Sequence, residues 1–141
     1  MTHLLLHFFL FPFPLDILFT EKWKLSAIFS EIGDISRFEK ASQLVAYAGL
    51  EVAVKQSGEF VGTQTKISKK GSPYLRRAIW LAAIVAAFKD PALSNYHQTL
   101  RNRGKAHGTA IGAVTRKLTN IIFAVLRDNN AYIPNIWLSH I

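Results

Sequence analysis

The feature that most constrains the fold is a series of helix-start signals followed by helical apolar spacing between residues 72 and 127. Ser72-Pro73 places a side-chain cap and a proline where a helix begins, and Asp90-Pro91 repeats the signal. The spacing predicts helices over about 73–89, 91–103 and 106–127. The expected buried faces consist of Leu75, Ile79, Ala82, Ala83 and Ala86 in the first helix, and Ile111, Val114, Leu118, Ile121, Ile122 and Val125 in the last.

Residues 21–70 predict two further helices and one irregular segment. Residues 21–30 are typical of a helix end, closed by a turn at Gly33-Asp34. Ser36 and Glu39 match a capping box, which predicts a second helix that Gly49 ends. Its expected buried face is Phe38, Ala41, Leu44, Val45 and Ala48. Residues 50–70 are rich in Gly, Ser and Thr and predict a loop or short hairpin.

We therefore expect a mainly α protein, a compact helical domain of about four to five helices with one irregular loop or short hairpin at about 50–70. The apolar segment 1–20 is interrupted by Pro12, Pro14 and Asp16, which argues against a membrane helix. The first Lys, Lys22, follows this segment, unlike in a secretory signal. We interpret residues 1–20 as an aberrant or displaced start, residues 21–134 as the helical domain and residues 135–141 as a tail. We expect no membrane partner and a cytoplasmic location.

Charge is strongly segregated along the chain. Residues 1–60 hold five basic and seven acidic side chains, whereas residues 61–141 hold twelve basic and two acidic ones, Asp90 and Asp128. The net charge is +8. Concentrated positive charge repels itself, and a phosphate backbone relieves that repulsion. The pattern favours nucleic acid as a partner, with a solvated basic face as the alternative.

The chain lacks the usual groupings for metal chemistry. It has no cysteine, and its nine carboxylates form no D-x-D or E-x-x-H pattern. His97 and His107 lie ten residues apart with no evident third ligand, so we predict surface or phosphate contacts for both. No metal site and no cofactor are expected in this chain.

The candidate phosphate contacts are cations near turns and helix starts. The main group lies in and just after the irregular segment, and others lie at a Gly turn and on the last helix. No row of side chains at recognition-helix spacing indicates base reading. Ser57, in Gln56-Ser57-Gly58, is by itself a weak nucleophile candidate, because no general base is visible. The predicted DNA contacts are Lys66, Ser68, Lys69, Lys70, Arg76, Arg77, Arg101, Arg103, Lys105, Arg116 and Lys117.

Several short blocks together resemble a known family. They are the segments 30–38, 44–50, 56–58, 67–77, 103–105, 116–118 and 126–128, followed by Tyr132. In this order and spacing, residues of about 27–134 resemble the C-terminal domain of transposases of the insertion-sequence 110/116/902 family.

This resemblance implies a role in DNA transposition and recombination by serine-mediated strand exchange. It places the covalent nucleophile on Ser57, with Ser68 as the rival, and implies a structured guide RNA. Family members also carry a RuvC-like nuclease domain whose four acidic ligands bind metal, where magnesium is expected. That domain and the upstream Pro-Gly-Ile-Gly turn are not seen before Ala27, and Glu51-Val52-Ala53 stands where a proline is usual. We therefore expect a truncated or frame-disrupted remnant that is inactive alone, and its status as an enzyme stays open.

A second hypothesis comes from a different functional class. The chain is then a stand-alone basic nucleic-acid-binding helical protein, for example a transposition repressor. It predicts binding that survives Ser57→Ala, and it allows homo-oligomers or mixed oligomers with a full-length transposase. The transposase hypothesis predicts that Ser57→Ala abolishes strand joining once the nuclease domain is supplied.

Overall fold

The computed structural model describes residues 22–53, 56–57, 60–61, 66–130 and 132. Side chains are described for residues 26–53, 66–130 and 132. The predictions made for the apolar segment 1–20 and for the tail 135–141 lie outside these residues.

The described residues form five α-helices, one 3₁₀ turn and two short antiparallel ladders, so the mainly α class is confirmed. The helices are α1 (Lys22–Ile32), α2 (Ala41–Tyr47), α3 (Pro73–Lys89), α4 (Pro91–Asn102) and α5 (His107–Asp128), with the 3₁₀ turn at Ile35–Arg37. The strands are β1 (Val52–Ala53), β2 (Gln56–Ser57), β3 (Phe60–Val61) and β4 (Lys66–Ile67).

Helices α3 and α5 form the centre of the domain. Helix α3 packs against α1, α4 and α5, while α5 packs against α2, α3 and α4. The apolar faces expected from helical spacing are buried, except that Ala41, Val45 and Val125 are half-buried. Trp80, near the middle of α3, lies against Gly112 of α5. Small residues on α3, chiefly alanine, allow this close helix packing.

The two predicted Ser/Asp-Pro helix starts are confirmed. Ser72 Oγ accepts a hydrogen bond from the backbone N–H of Leu75 at 3.2 Å, and Asp90 Oδ1 accepts one from Leu93 at 2.8 Å. Asp90 is buried, and its Oδ1 also accepts from the hydroxyl of Tyr132 at 3.4 Å. Burial and the Asp90 carboxylate together raise the pKa of Tyr132. The segment after α5 is thereby tied to the start of α4.

The predicted capping box at Ser36 and Glu39 is wrong. Asp34 instead caps the 3₁₀ turn by accepting from the backbone N–H of Ser36 at 2.9 Å. Helix α2 starts later, at Ala41, and Gln43 Oε1 accepts from the backbone N–H of Glu39 at 2.7 Å. Asp34 thus caps the 3₁₀ turn that contains Ser36, and the N–H of Glu39, which Ser36 was predicted to bind, is bonded to Gln43 instead.

Residues 50–70 form an interrupted hairpin, as predicted. At its base Val52 pairs with Ile67, and near its tip Ser57 pairs with Phe60. Two residues separate β1 from β2, whereas four separate β3 from β4. The unequal spacing shifts the register by two residues between the ladders, so the hairpin is not one continuous sheet.

One described helix, α5, has the length and apolar content to cross a membrane. The share of its apolar window that is buried inside the fold is 61%. That burial is the behaviour of a core helix, which passes the same test of length and composition.

The hairpin base is held by a close approach between the end of α2 and the start of α3. Gly49 has a φ of 68°, a left-handed conformation that glycine adopts without steric cost. A Cβ on Gly71 would overlap the carbonyl oxygen of Tyr47 and lie 2.5 Å from the amide nitrogen of Gly49. Because these neighbours are backbone atoms, no rotamer change makes room for a side chain.

We predict that Gly71→Ala lowers the free energy of unfolding by about 1–3 kcal/mol, the usual cost of overpacking, or more. Gly108→Ala is the matched control, because nothing lies within 4 Å of a Cβ at Gly108. In the first turn of α5 that change is expected to be neutral or stabilising. Urea denaturation of both variants checks the prediction. Equal stability of the two variants would refute the close approach.

Candidate nucleic-acid interface

The loop that carries Lys69 and Lys70 is held in place by backbone hydrogen bonds. The N–H groups of Ser68 and Lys69 donate to the carbonyls of Glu51 (2.7 Å) and Gly49 (3.0 Å). Ser68 Oγ accepts from the N–H of Lys70 at 3.4 Å. Because the backbone is bonded inward, the side chains of Lys69 and Lys70 remain exposed.

Ser72 joins three helices at the end of this loop. Its N–H donates to the carbonyl of Tyr47 at 2.7 Å, and its hydroxyl donates to Glu31 Oε2 at 2.8 Å. The same hydroxyl oxygen caps α3. A carboxylate near a helix N-terminus is favoured by the helix dipole. Ser72 therefore aligns the basic loop with α1, α2 and α3.

Arg76 and Arg77 have different roles despite being adjacent. Arg76 is half-buried, and its Nη1 donates to the carbonyl of Ala48 at 3.3 Å. That bond satisfies a carbonyl at the end of α2 and places positive charge at the negative end of the helix dipole. Arg77 is exposed. Sequence reasoning missed the structural role of Arg76, although Arg76 lies three residues before the buried Ile79 and thus borders the buried face of α3.

An open groove of about 480 Å³ lies beside the basic loop. Three predicted contacts, Lys69, Arg76 and Arg77, line it together with apolar side chains. The remaining lining residues are Ile67, Pro73, Trp80 and Leu81. Lys66 is exposed at the hairpin base, where it pairs with Ala53. We call this surface, made of Lys66, Lys69, Lys70, Arg76 and Arg77, the hairpin-end cluster.

The N-terminus of α3 adds little anion-binding capacity of its own. Pro73 has no N–H, and the N–H groups of Ser72 and Leu75 are already bonded to Tyr47 and Ser72. Helix N-termini attract phosphate through free N–H groups. The predicted phosphate contacts of the hairpin-end cluster are therefore lysine and arginine side chains and not the N–H groups of α3.

A second group of cations lies at the turn between α4 and α5. Arg101, Arg103 and Lys105 are exposed, and Arg101 Nη1 donates to the carbonyl of Lys105 at 2.7 Å. No side chain caps the start of α5 at Ala106, and the first turn of α5 has no acidic residue. A free helix N-terminus flanked by cations attracts phosphate oxygens. We call Arg101, Arg103 and Lys105 the turn cluster.

The structure separates the two clusters. The rings of His97 and His107 are 5.3 Å apart, and the rings of Phe88 and His97 are 5.9 Å apart. The start of α5 therefore lies near the end of α3, whereas the hairpin-end cluster surrounds the start of α3. The 17 residues of α3 span about 25 Å at 1.5 Å per residue. The cations of the hairpin-end cluster and of the turn cluster thus lie in two separate places.

The remaining two predicted contacts lie within α5. Arg116 and Lys117 are half-buried, and Lys117 Nζ lies 3.7 Å from the ring centroid of Tyr96 on α4. Burial lowers the pKa of Lys117. Because its ammonium group already has a cation–π partner, Lys117 is less available for phosphate than the exposed lysines.

Ser57 lies on the hairpin that carries Lys66, at the last position of β2 before the tip. Its place in an antiparallel pair agrees with the short hairpin that was one of the two predictions for residues 50–70. Among the described residues, no group of three or more His, Asp or Glu side chains could hold a metal ion. These residues do not fit a magnesium site, so no metal-dependent step is assigned to them.

Comparison with known proteins decides the family. Residues 22–98 match the model of the transposase IS116/IS110/IS902 family. The chain belongs to this transposase family. The match runs from the start of α1 into α4 and includes the hairpin and the hairpin-end cluster.

Relatives extend the similarity beyond the family match. The chain is 35% identical over 102 residues to the pilin gene-inverting protein of Moraxella lacunata, covering 72% of this chain and 32% of the relative. It is 35% identical over 101 residues to the uncharacterized 43.6 kDa protein of insertion element IS110 from Streptomyces coelicolor, covering 72% of this chain and 25% of that protein. The uncharacterized 42 kDa protein of IS900 from Mycobacterium paratuberculosis is 34% identical over 102 residues, with coverages of 72% and 25%.

This transposase-family chain spans about a quarter to a third of the length of these relatives. The family supports a role in transposition or recombination.

His97 corrects one sequence prediction. It was expected at the surface, but it is buried, with a relative exposure of 7%. Its Nε2 has no hydrogen-bond partner among the described residues. Burial lowers the pKa of His97, and the neighbouring His107 and Arg101 lower it further. His107 is exposed, as expected. The spacing offered a signal, because His97 lies four residues after the buried Leu93.

We predict that the chain loses stability as the pH falls below about 6.5, the ordinary pKa of histidine. The folded state keeps His97 neutral, so below that pH the unfolded chain binds a proton that the folded chain does not. The contribution of the neutral His97 to the free energy of unfolding is complete above pH 6.5. It is lost as the pH falls through the lowered pKa of His97 in the folded state. Urea denaturation across this pH range checks it against His97→Leu, which removes the titrating group. Parallel pH profiles of the two proteins would contradict the prediction.

Proposed function

We propose that this domain is the DNA-binding C-terminal domain of a transposase that acts in DNA transposition and recombination by serine-mediated strand exchange. The hairpin-end cluster is the observation that carries the proposal. Backbone hydrogen bonds hold its loop, and it points several cations outward beside a groove. The turn cluster adds a second place for phosphate contact about 25 Å away, measured along α3.

The arrangement favours contact with the nucleic-acid backbone. Exposed lysines and arginines at loops and helix starts match the groups that position a protein on phosphates without reading sequence. Glu31, which is close to the end of this loop, is hydrogen bonded to the hydroxyl of Ser72. Among the described residues, Lys69, Lys70 and Arg77 form no ion pair with a carboxylate.

Ser57 is the proposed nucleophile. Its hydroxyl oxygen attacks a DNA phosphorus, a protein–DNA phosphodiester forms, and the hydroxyl of the cleaved strand leaves. Backbone hydrogen bonds of Ser68 and Lys69 hold the base of the hairpin. Ser57 lies near the tip of the same hairpin, whose base carries the cations. Phosphate bound at Lys66 and Lys69 then lies at the base of the same hairpin.

Partners and location follow from this role. DNA is the main partner, and a structured guide RNA is the second nucleic acid. A second copy of the chain or a full-length transposase completes the assembly, and the location is cytoplasmic. The alternative function, a stand-alone nucleic-acid-binding repressor, is supported by the same cations and needs no reaction at Ser57.

We predict that the double variant Lys69→Glu/Arg77→Glu weakens binding to duplex DNA by at least tenfold at low salt. The reason is that two phosphate contacts become repulsive. Each lost contact also reduces the slope of log K against log salt by about one. Lys40→Glu is the control for charge against each single variant, Lys69→Glu and Arg77→Glu, because it changes the net charge equally and Lys40 is exposed at the start of α2, outside the hairpin-end cluster. Fluorescence anisotropy at several salt concentrations measures both effects. Equal loss in the Lys40 variant would show that only net charge matters.

We predict that the purified chain with magnesium does not cleave DNA, and that a supplied nuclease domain of a full-length relative restores strand joining. Ser57→Ala then abolishes joining and leaves DNA affinity unchanged. Ser68→Ala is the matched control, since Ser68 is the rival nucleophile. A gel assay for covalent protein–DNA product distinguishes them. If strand joining is lost only in Ser68→Ala, the nucleophile is Ser68 and not Ser57. If joining survives both changes, the result favours the alternative function, a nucleic-acid-binding repressor.

A further inference from the structure

Tyr74 is an exposed aromatic ring beside the hairpin-end cluster. It is the second residue of α3, and its relative exposure is 74%. No aromatic or cation–π contact is found for it among the described residues. The ring is therefore free to meet a ligand on its face.

The surroundings of Tyr74 distinguish it from an ordinary surface aromatic. Arg77, three residues later, lies on the same side of the helix, at the distance where helical side chains are neighbours. Pro73, which precedes Tyr74, lines the groove together with Lys69 and Arg77. Tyr74 does not itself line the groove, but its helix neighbours Pro73 and Arg77 do, so the ring lies next to a cationic groove. Exposed apolar residues that occur singly need no explanation, but an exposed ring next to exposed cations has a specific use.

We propose that Tyr74 stacks on an unpaired base, so that the hairpin end binds single-stranded or unpaired nucleotides in preference to duplex. Cations that hold the backbone and an aromatic ring that accepts a base face are the two elements of single-strand recognition. A duplex offers no free base face along its length, whereas an unpaired base can rotate onto the ring. This inference rests on the proposed nucleic-acid-binding function and adds the form of nucleic acid that this end selects.

The test compares Tyr74→Ala with Tyr74→Phe and Phe88→Ala. Phe88 is the control for an exposed ring near the turn cluster: it is 65% exposed near the other end of α3, but its ring already contacts that of His97, with the centroids 5.9 Å apart. Probes are a single-stranded DNA oligonucleotide, an RNA of the same sequence and the DNA duplex, each measured by anisotropy. We expect Tyr74→Ala to weaken single-strand binding about 5- to 150-fold, the range for loss of one stacked base. We expect Tyr74→Ala to change duplex affinity less than about twofold. Tyr74→Phe and Phe88→Ala are expected to change single-strand affinity less than about twofold.

A second readout reports stacking directly. A single-stranded oligonucleotide containing 2-aminopurine is expected to lose fluorescence on binding the wild-type chain and Tyr74→Phe, but not Tyr74→Ala. Equal weakening of single-strand and duplex binding by Tyr74→Ala would overturn the inference, as would unchanged single-strand affinity. In both cases the proposed nucleic-acid-binding function is still supported if Lys69→Glu/Arg77→Glu weakens binding. If the wild-type chain binds none of the probes, the proposed function itself fails.

Discussion

The close backbone contact between the end of α2 and the start of α3 is the constraint on which the rest of the structure depends. Gly49 and Gly71 allow the two segments to approach without side chains between them. The same contact places the carbonyls of Tyr47 and Gly49 where Ser72 and Lys69 donate to them. Loss of this approach would release the hairpin base, the cap of α3 and the basic loop together, because all three share these few atoms.

The charge distribution follows from the same arrangement. Arg76 stabilises the contact by donating to Ala48, whereas Lys69 and Arg77, which line the same groove, are exposed. At the other end of α3, the turn cluster surrounds an α5 start without a side-chain cap. One domain thus presents two cationic clusters near opposite ends of a helix about 25 Å long.

Much of the fold was predictable because its signals are local. A capping side chain and a proline identify the starts of α3 and α4, and apolar spacing identifies their buried faces. The start of α2 was mispredicted because two local hydrogen bonds replace the capping box: Asp34 accepts from the N–H of Ser36, and Gln43 accepts from the N–H of Glu39. The cations of the interface were identified from the sequence, but their division into two clusters was not. That division depends on the antiparallel packing of α3 and α5, which joins residues far apart in the chain. The structural role of Arg76 and the burial of His97 depend on such contacts too.

The central claim is that the hairpin end, through its anchored basic loop, is a nucleic-acid interface. Titration of the isotopically labelled chain with a single-stranded oligonucleotide, followed by amide chemical shifts, tests this most directly. The account predicts the largest shifts in residues 66–77, a second set in residues 101–109, and little change at the start of α2. Shifts that avoid residues 66–77, or that are spread evenly over all exposed amides, would contradict it.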